Sequence, residues 1–354
     1  MKIALLFDGA SALGKSADLA ILETLEAIEA VLVADGHQVT RFPAQPDGRW
    51  VERMRRGKFD LVFNMCEGLD GVAALEPAII SALEVLAVPF TGCSSWTASL
   101  CLRKHVVNAF LERAGLPVPT FAVVHRGAPV PAVGFPAICK PAAEDASVGV
   151  EQRSVVRTNR ALAARVEAMH EGWDEVLVQR YIDGREVNVG IVGNTVLPVS
   201  EIRFDGLPKR MWRIVSYRSK WVAGSDEDVG AVPTCPADLP EALSEKIKEV
   251  ALDAWRLVGG TGYGRVDMRL DQDGQPWILE VNANPDIAND AGLARMAAAA
   301  GLDYGALIRA VCDDAMTRSA MNVDERWALA QRLSGVIPEV SDAAALQLVA
   351  VGQR

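Results

Sequence analysis

Residues 264–285, GRVDMRLDQDGQPWILEVNANP, combine acidic side chains with a strong turn signal. Asp273-Gly274 favours a two-residue hairpin turn, because both residue types tolerate a positive φ. Counting outward from that turn pairs Asp271 with Pro276, Arg269 with Ile278, Asp267 with Glu280 and Arg265 with Asn282. The two-residue period of a strand then places four polar side chains on one face. These side chains are Arg265, Asp267, Glu280 and Asn282.

Asp267 and Glu280 oppose each other in this register, and like charges so placed destabilise a hairpin unless a cation lies between them. Carboxylate and amide oxygens suit Mg²⁺, which also accepts water and phosphate oxygens as ligands. We therefore predict a magnesium site at Asp267, Glu280 and Asn282, with Arg265 beside it to neutralise charge on a transferred phosphoryl group. The alternative is an ordinary surface hairpin in which Arg265 pairs with Glu280.

Lys140 is the main candidate for a phosphate-binding lysine. It lies at the end of the apolar strand FPAICKP, and the small-residue loop AAEDASVGV that follows could add backbone N–H donors. A strand-end lysine in solvent is the alternative. Lys104, on a predicted helix, and Lys220, in SYRSKW, are weaker candidates when taken alone. Glu186 follows the strand EVLVQRYI and could accept hydrogen bonds from ribose hydroxyls, or it could be a surface carboxylate.

These residues belong to elements whose types change along the chain. Strand and helix patterns alternate over residues 1–94, which implies a parallel sheet with covering helices. Strands of a smaller unit follow within 95–185. A larger unit over 186–318 contains a long polar loop at 204–236, a helix, the hairpin and two further helices. The remaining residues, 319–354, are predicted to form a helical tail.

The composition argues against several classes of function. The formal net charge is -10 and the sequence pI is about 5.1, which speaks against nucleic acid as a partner because phosphate backbones require a basic surface. The six cysteines are scattered without a CxxC pair, so we expect reduced thiols in a cytoplasmic protein and no zinc site. The start, MKIALLFDGA, is too short an apolar run for a signal peptide, and no longer run predicts a membrane span.

Several stretches, taken in order, resemble the D-alanine–D-alanine ligase family of the ATP-grasp superfamily. They are NMCEGLDG, LEVLAVPFTG, RKHVVNAFLERAGLPVP, FPAICKPAAEDASVGV, VQRYIDGREV, SYRSKW and GYGRVDMRL…ILEVNANP. The resemblance covers roughly residues 1–315 and implies an ATP-grasp fold, mixed α/β and α+β, with an N-terminal parallel-sheet domain. It also implies an enzyme that phosphorylates a donor carboxylate with ATP. An amine then attacks the acyl phosphate, and ADP and phosphate leave.

The same resemblance implies roles for residues by position. The residues around the phosphates of ATP would be Lys104, Lys140, Lys220, Ser147 and Gly149. The residues around the adenosine would be Gln179, Arg180, Tyr181, Ile182 and Glu186, with Glu186 on the ribose. Gln179 stands where the family often has an acidic residue. Asp267, Glu280 and Asn282 would hold two Mg²⁺ ions, with Mn²⁺ as an alternative, and Arg265 and Lys220 would act in catalysis.

Departures from the family pattern indicate different substrates. In GASALGKS, Leu13 stands where the family has a glutamate that holds the ammonium group of the donor. After NANP, Asp286 and Ala291 stand where the family usually has a glycine and a serine for the acceptor carboxylate. Arg218 replaces a residue that is usually acidic. We therefore predict small-molecule carboxylate and amine substrates, with amino acids among them, other than two D-alanines.

Gly9–Ser16, GASALGKS, matches the P-loop pattern and lies between a predicted strand and a predicted helix, as that motif requires. A P-loop kinase or NTPase would place Lys15 on the phosphates and Ser16 on Mg²⁺, but it leaves the 264–285 hairpin unexplained. We predict instead that Gly14, Lys15 and Ser16 hold an anionic part of the substrate at a helix N-terminus. A non-catalytic nucleotide-binding module is a further alternative.

Three more residues are candidates for substrate contacts. Glu67 follows a strand end, where ligands collect in open α/β sheets, although a helix N-cap role fits it equally well. Asn284 and Asp286 follow the hairpin directly. The tail at 319–354 could serve a homodimer contact or a link to a partner enzyme.

Overall fold

The structure, a computed structural model, describes residues 1–10, 16–144 and 146–320. Within these ranges the strands form three sheets, of three, six and four strands. A search of the same residues finds no helix with the length and apolarity needed to cross a bilayer.

The N-terminal sheet is parallel, as the alternation of strand and helix patterns predicts. Its order is β2-β1-β3, so both neighbours of the central strand come later in the chain. Buried residues of β1 alternate between two helical layers, with Ile3 and Leu5 in one apolar cluster and Ala4 and Leu6 in another. The elements are β1 (Lys2–Asp8), α1 (Ser16–Ala34), β2 (Gln38–Ala44), α2 (Arg49–Gly57), β3 (Leu61–Asn64) and α3 (Glu76–Val85).

A second, antiparallel sheet has the order β4-β7-β5-β6. One face packs on α6, with Cys139, Val176 and Val178 buried against helix residues that include Leu162 and Val166. The opposite face carries Ile138, Lys140, Leu177 and Gln179. The elements are α4 (Ser95–Leu102), α5 (Lys104–Arg113), β4 (Phe121–His125), β5 (Ala137–Pro141), β6 (Val155–Val156), α6 (Asn159–Met169) and β7 (Glu175–Arg180).

The third sheet carries the predicted hairpin. Its order is β11-β10-β8-β12-β13, with β9 paired to β8. One face packs on α9 through Val187, Val266 and Met268. The elements are β8 (Arg185–Val192), β9 (Thr195–Val196), β10 (Ser200–Arg203), α7 (Tyr217–Trp221), α8 (Asp226–Gly230), β11 (Val232–Thr234), α9 (Glu241–Leu257), β12 (Tyr263–Leu270), β13 (Pro276–Asn282), α10 (Gly292–Ala299) and α11 (Tyr304–Ala320).

The segment 204–236 is more ordered than the sequence suggests. It holds two short helices and an edge strand, α7, α8 and β11, where a structureless loop is predicted. Side-chain caps explain the difference, because the hydroxyls of Ser216 and Ser225 accept hydrogen bonds from the third backbone N–H of α7 and α8. Segments this short have too little periodicity to be recognised in a sequence.

The last two helices fold back onto the N-terminal sheet. Leu307 and Val311 of α11 share one apolar cluster with Ile3 and Leu5 of β1 and with Val192 of β8. The N-terminal sheet and the large sheet therefore have a common core. This packing fixes the end of the hairpin relative to the carboxyl ends of the parallel strands.

Candidate active site

The hairpin has the register that the metal-site prediction requires at its polar end. Arg265 pairs with Asn282, and Asp267 pairs with Glu280. The turn itself differs from the prediction. The strands stop at Leu270 and restart at Pro276, so the connection has five residues, 271–275, and not two. Of the two turn residues, only Gly274 has a positive φ.

A β-bulge explains why the polar register holds although the turn prediction is wrong. The pairing shifts between Asp267 and Met268, since Met268 lies opposite Ile278 and Leu279 is left as the extra residue. The predicted pair of Arg269 with Ile278 is therefore wrong, because Arg269 lies opposite Trp277. Asp271, predicted to face Pro276, lies outside the strand, and Leu270 takes that place.

The two carboxylates meet through one amide. Asn282 Nδ2 donates to Asp267 Oδ2 at 2.8 Å and to Glu280 Oε1 at 3.3 Å. Arg265 donates two hydrogen bonds to Asp267, at 2.7 and 2.8 Å, so the alternative pairing of Arg265 with Glu280 is not the one formed. Carboxylates that share one donor atom are close enough to share a cation.

The donor set fits Mg²⁺. No group of three or more His, Cys, Asp or Glu side chains gathers at any metal-sized site in the described part of the chain. Two carboxylates and an amide therefore leave several ligand positions for water and phosphate oxygens, which is the usual coordination of Mg²⁺ in phosphoryl-transfer sites. Asn188 of β8 supports the arrangement by donating to Asp267 Oδ1 at 2.7 Å.

Four cationic side chains surround Glu280. Lys104, buried at the start of α5, lies 3.3 Å from Glu280 Oε2. Burial alone would raise the pKa of Glu280, but the charges of Lys104, Lys140, Lys220 and Arg265 together hold it well below its usual range. The structure thus brings together lysines from α5, β5 and α7 and the carboxylates of the hairpin. An anionic ligand such as a triphosphate fits this field.

Lys140 has an unusual pKa. Burial lowers it to about 8, with Lys104 acting in the same direction, while the negative charge of Glu280 partly opposes the shift. Its position on β5, opposite Leu177 of β7, puts its side chain on the face of the small sheet that is not covered by α6. The interpretation of Lys140 as an isolated, solvent-exposed strand end is therefore wrong.

The loop after Lys140 touches the segment that carries Lys220. Ser147 Oγ donates to the carbonyl of Val215 at 3.0 Å, and the indole N–H of Trp221 donates to the carbonyl of Ala146 at 3.0 Å. Gly149 has φ 74°, and a Cβ atom there would lie 2.7 Å from a ring carbon of Pro141. Ser147 and Gly149 therefore help to hold this loop in its conformation.

Residues 179–182 form the end of β7 and the start of the connection to β8, which joins the small sheet to the large sheet. Gln179, Tyr181 and Ile182 are buried, whereas the side chain of Arg180 is exposed. Tyr181 packs edge-on against Trp212 with ring centroids 5.2 Å apart. An apolar wall is available here for a flat base.

Arg269 is a site residue that the sequence analysis missed. Its guanidinium donates to the hydroxyl of Tyr181 at 3.1 Å, to the carbonyl of Ile182 at 3.1 Å and to the carbonyl of Arg213. It also pairs with Glu186 Oε2 at 3.0 Å. Burial raises the pKa of Glu186, and Arg269 partly offsets that effect. The signal was the two-residue period, which puts Arg269 on the face of Asp267.

Asn284, one of the residues predicted to contact substrate, makes hydrogen bonds within the protein. Asn284 Oδ1 accepts from the Tyr263 hydroxyl at 2.8 Å, and Asn284 Nδ2 donates to Glu76 Oε1 at 3.0 Å, so this side chain ties the hairpin to the N-terminal unit. Glu67 and Asp286 are exposed. Their charges, after burial, add to the rise in the pKa of Tyr263, which places both carboxylates near that tyrosine.

Some predicted residues lie outside the described ranges. Gly14 and Lys15 belong to them, as do Leu13 and most of the tail at 319–354. For Ser16 the structure describes the backbone as the first residue of α1.

Comparison with known proteins identifies the family. The sequence model of the family described as D-ala D-ala ligase C-terminus matches residues 110–313, more than half of the chain. The chain belongs to the D-alanine–D-alanine ligase family. It is 34% identical over 266 residues to a D-alanine–D-alanine ligase of Alkalilimnicola ehrlichii, covering 74% of this chain and 80% of that protein. It is 31% identical over 325 residues to the Gluconobacter oxydans enzyme, covering 90% of this chain and all of the relative.

A solved structure shows the same fold. The crystal structure of D-alanine–D-alanine ligase from Bacillus anthracis complexed with ATP aligns with a TM-score of 0.72 at 20% identity, covering 90% of this chain and 98% of that one. Membership in the family makes the chain an ATP-grasp carbon–nitrogen ligase, and ATP and Mg²⁺ are the cofactors of such ligases. The P-loop interpretation of Gly9–Ser16 is not favoured.

Proposed function

We propose that this ligase joins a small carboxylate to an amine through an acyl phosphate, with release of ADP and phosphate. We propose further that the two substrates are not both D-alanine. The observation that carries the proposal is the convergence of Asp267, Glu280 and Asn282 with three lysines. Carboxylates on one side and cations on the other suit a Mg²⁺-bound triphosphate.

The charged residues around Glu280 have separate roles in the proposed reaction. Lys104 and Lys140 bind the phosphates from the small-sheet side, and Lys220 reaches them from α7. Arg265, held in place by two hydrogen bonds to Asp267, faces the negative charge that develops on the transferred phosphoryl group and on the tetrahedral species formed by the amine. Mg²⁺ held by Asp267, Glu280 and Asn282 would supply further charge neutralisation.

The proposal of substrates other than two D-alanines rests on two departures from the family pattern, at Asp286 and Ala291. Asp286 stands where the family pattern has a glycine, and its carboxylate accepts a hydrogen bond from the backbone N–H of Ala288 at 2.9 Å. A free carboxylate on the acceptor would be repelled there. Ala291, directly before α10, has no hydroxyl to offer it. An acceptor amine without a carboxylate at that position fits better.

Two further assignments belong to the proposal. ATP lies between the units 95–185 and 186–318, and both substrates lie where these meet the unit 1–94. Gly14, Lys15 and Ser16 hold an anionic group of the donor. The kinetics of Lys15→Ala test the second assignment, because a change in the KM for ATP without a change in the KM for the donor would contradict it.

The test is an ADP-release screen over paired carboxylates and amines, including L- and D-amino acids and amines without a carboxylate, followed by mass spectrometry of the products. The Asp267→Asn variant is the matched inactive control. We expect ADP release that requires both partners and a condensed product that is not D-alanyl-D-alanine. D-alanine with D-alanine as the best pair would refute the substrate assignment, and ADP release that needs neither partner would refute the ligase mechanism.

A further inference from the structure

Gln179 has a buried amide with an unmet hydrogen bond. Its side chain is 1% exposed, and its Nε2 has no hydrogen-bond partner among the residues that the structure describes. An orphaned buried donor destabilises the folded state, so such groups are usually paired with a ligand or an ordered water. The position of this amide in the sheet decides between these two.

The amide lies on the nucleotide side of the small sheet. Gln179 pairs with Ile138 across β7 and β5, and Lys140 is two residues further along β5. Side chains two residues apart share a face of a strand, about 6.6 Å apart. Gln179, Ile138 and Lys140 therefore share the face of the small sheet that is not covered by α6, with the amide and the lysine at two successive positions along it.

The surroundings of the amide suit a purine. Ile138 and Trp212 pack against the buried cluster of Val155, Tyr181 and Ile214, and the two aromatic rings offer flat apolar contacts. A base needs such contacts on its faces and a small number of polar groups at its edge. Lys140 then lies on the phosphate side. A base at Gln179 and phosphates at Lys140 follow the direction of β5.

We propose that Gln179 reads the 6-position of the purine and admits both 6-amino and 6-oxo bases, so that the ligase accepts inosine triphosphate as well as ATP. This inference rests on the proposed function for the location of the nucleotide. A carboxamide presents a donor and an acceptor and can turn either toward the base. Adenine offers an amino donor beside N7, whereas a 6-oxopurine offers two acceptors, O6 and N7. A carboxylate, which only accepts, would reject the second kind.

The experiment measures nucleotide binding directly, by displacement of a fluorescent ATP analogue in the presence of Mg²⁺. ITP isolates the 6-position because it lacks the 2-amino group of GTP. For the wild-type protein we expect Kd values for ITP and ATP within about tenfold of each other, since each base can pair with the amide. In Gln179→Glu the ratio of Kd for ITP to Kd for ATP should rise by about 5- to 150-fold, the range of one good base-edge contact.

Gln179→Met is the matched apolar variant and has neither donor nor acceptor. It should weaken the binding of both nucleotides and leave their ratio near that of the wild type. Wild-type discrimination against ITP of more than 100-fold would overturn the inference. An unchanged ratio in Gln179→Glu would also overturn it, and would assign the orphaned amide to a buried water.

Failure of the inference can be told from failure of the proposed function. If ATP binds and ITP does not, only the role of Gln179 is wrong. If neither nucleotide displaces the analogue, the location of the nucleotide site is wrong. Because binding needs no second substrate, the result does not depend on which carboxylate and amine the ligase joins.

Discussion

Replacing Arg269 with methionine should destabilise the protein strongly and weaken ATP binding. The Arg269 side chain is 3% exposed and its partner Glu186 is 12% exposed. The substitution leaves that carboxylate buried without a cation, and it also removes the donors to Tyr181 and Ile182. Breaking a buried ion pair from one side costs about 3–5 kcal/mol, a large fraction of the usual 5–15 kcal/mol of a folded domain.

Thermal unfolding followed by circular dichroism is the measurement, with and without Mg²⁺-ATP. We expect the midpoint to fall by about 10 °C, at roughly 2–4 °C for each kcal/mol. Arg203→Met is the matched control, because Arg203 pairs with Asp205 at the surface, where the side chains are 55% and 72% exposed, and should cost at most about 1 kcal/mol. Adding Glu186→Gln to Arg269→Met should recover part of the loss. A loss no larger than that of the control, or no recovery in the double variant, would refute the reasoning.

Three further outcomes are expected. Asn188→Ala removes the donor to Asp267, and such supporting contacts typically affect metal affinity about 10- to 100-fold, so the Mg²⁺ concentration for half-maximal ADP release should rise by that factor. Loss of this buried hydrogen bond costs about 1–3 kcal/mol, so the midpoint of unfolding should also fall, but by less than in Arg269→Met. Lys140 has a pKa of about 8 and binds phosphate only when it is charged. The KM for ATP should therefore rise as the pH increases from 7 to 9.5. Lys140→Arg should flatten this pH profile, because arginine stays charged. Gly149→Ala should raise the KM for ATP, because the added Cβ would clash with neighbouring atoms at a φ of 74°. Gly127→Ala is the control, at a φ of 78° with open space around it, and should leave the KM for ATP unchanged. Equal effects of the two substitutions would contradict the role assigned to the loop.

The sequence predicts the polar end of the hairpin well for a physical reason. Side chains in a strand alternate, so Asp267 and Glu280 share a face once their register is set. The register was inferred from a two-residue turn that does not exist, and it is right because the bulge adds one residue at Leu279 and restores it. A bulge has no signal in this stretch of sequence, so that agreement could not have been foreseen.

Contacts between strands that are distant in the chain could not be predicted. Asn188 and Glu186 lie opposite Asp267 and Arg269 because β8 and β12 are neighbours in the large sheet, and strand order is not readable from a single sequence. The same holds for the bond of Asn284 to Glu76, which joins residues more than 200 positions apart. The individual elements, by contrast, follow from local periodicity, as in α9 and α11.

Asp267 and Glu280, beyond the bulge at Leu279, face the same side of the sheet although the connection between the two strands has five residues. Gln272 and Asp273 at the tip are exposed, and the shift in pairing lies between them and the carboxylates. The tip is therefore a permissive point for attaching a reporter dye or an affinity tag. Deleting Leu279, the extra residue of the bulge, would place Glu280 directly after Ile278 and still opposite Asp267, so the acidic pair would keep its orientation.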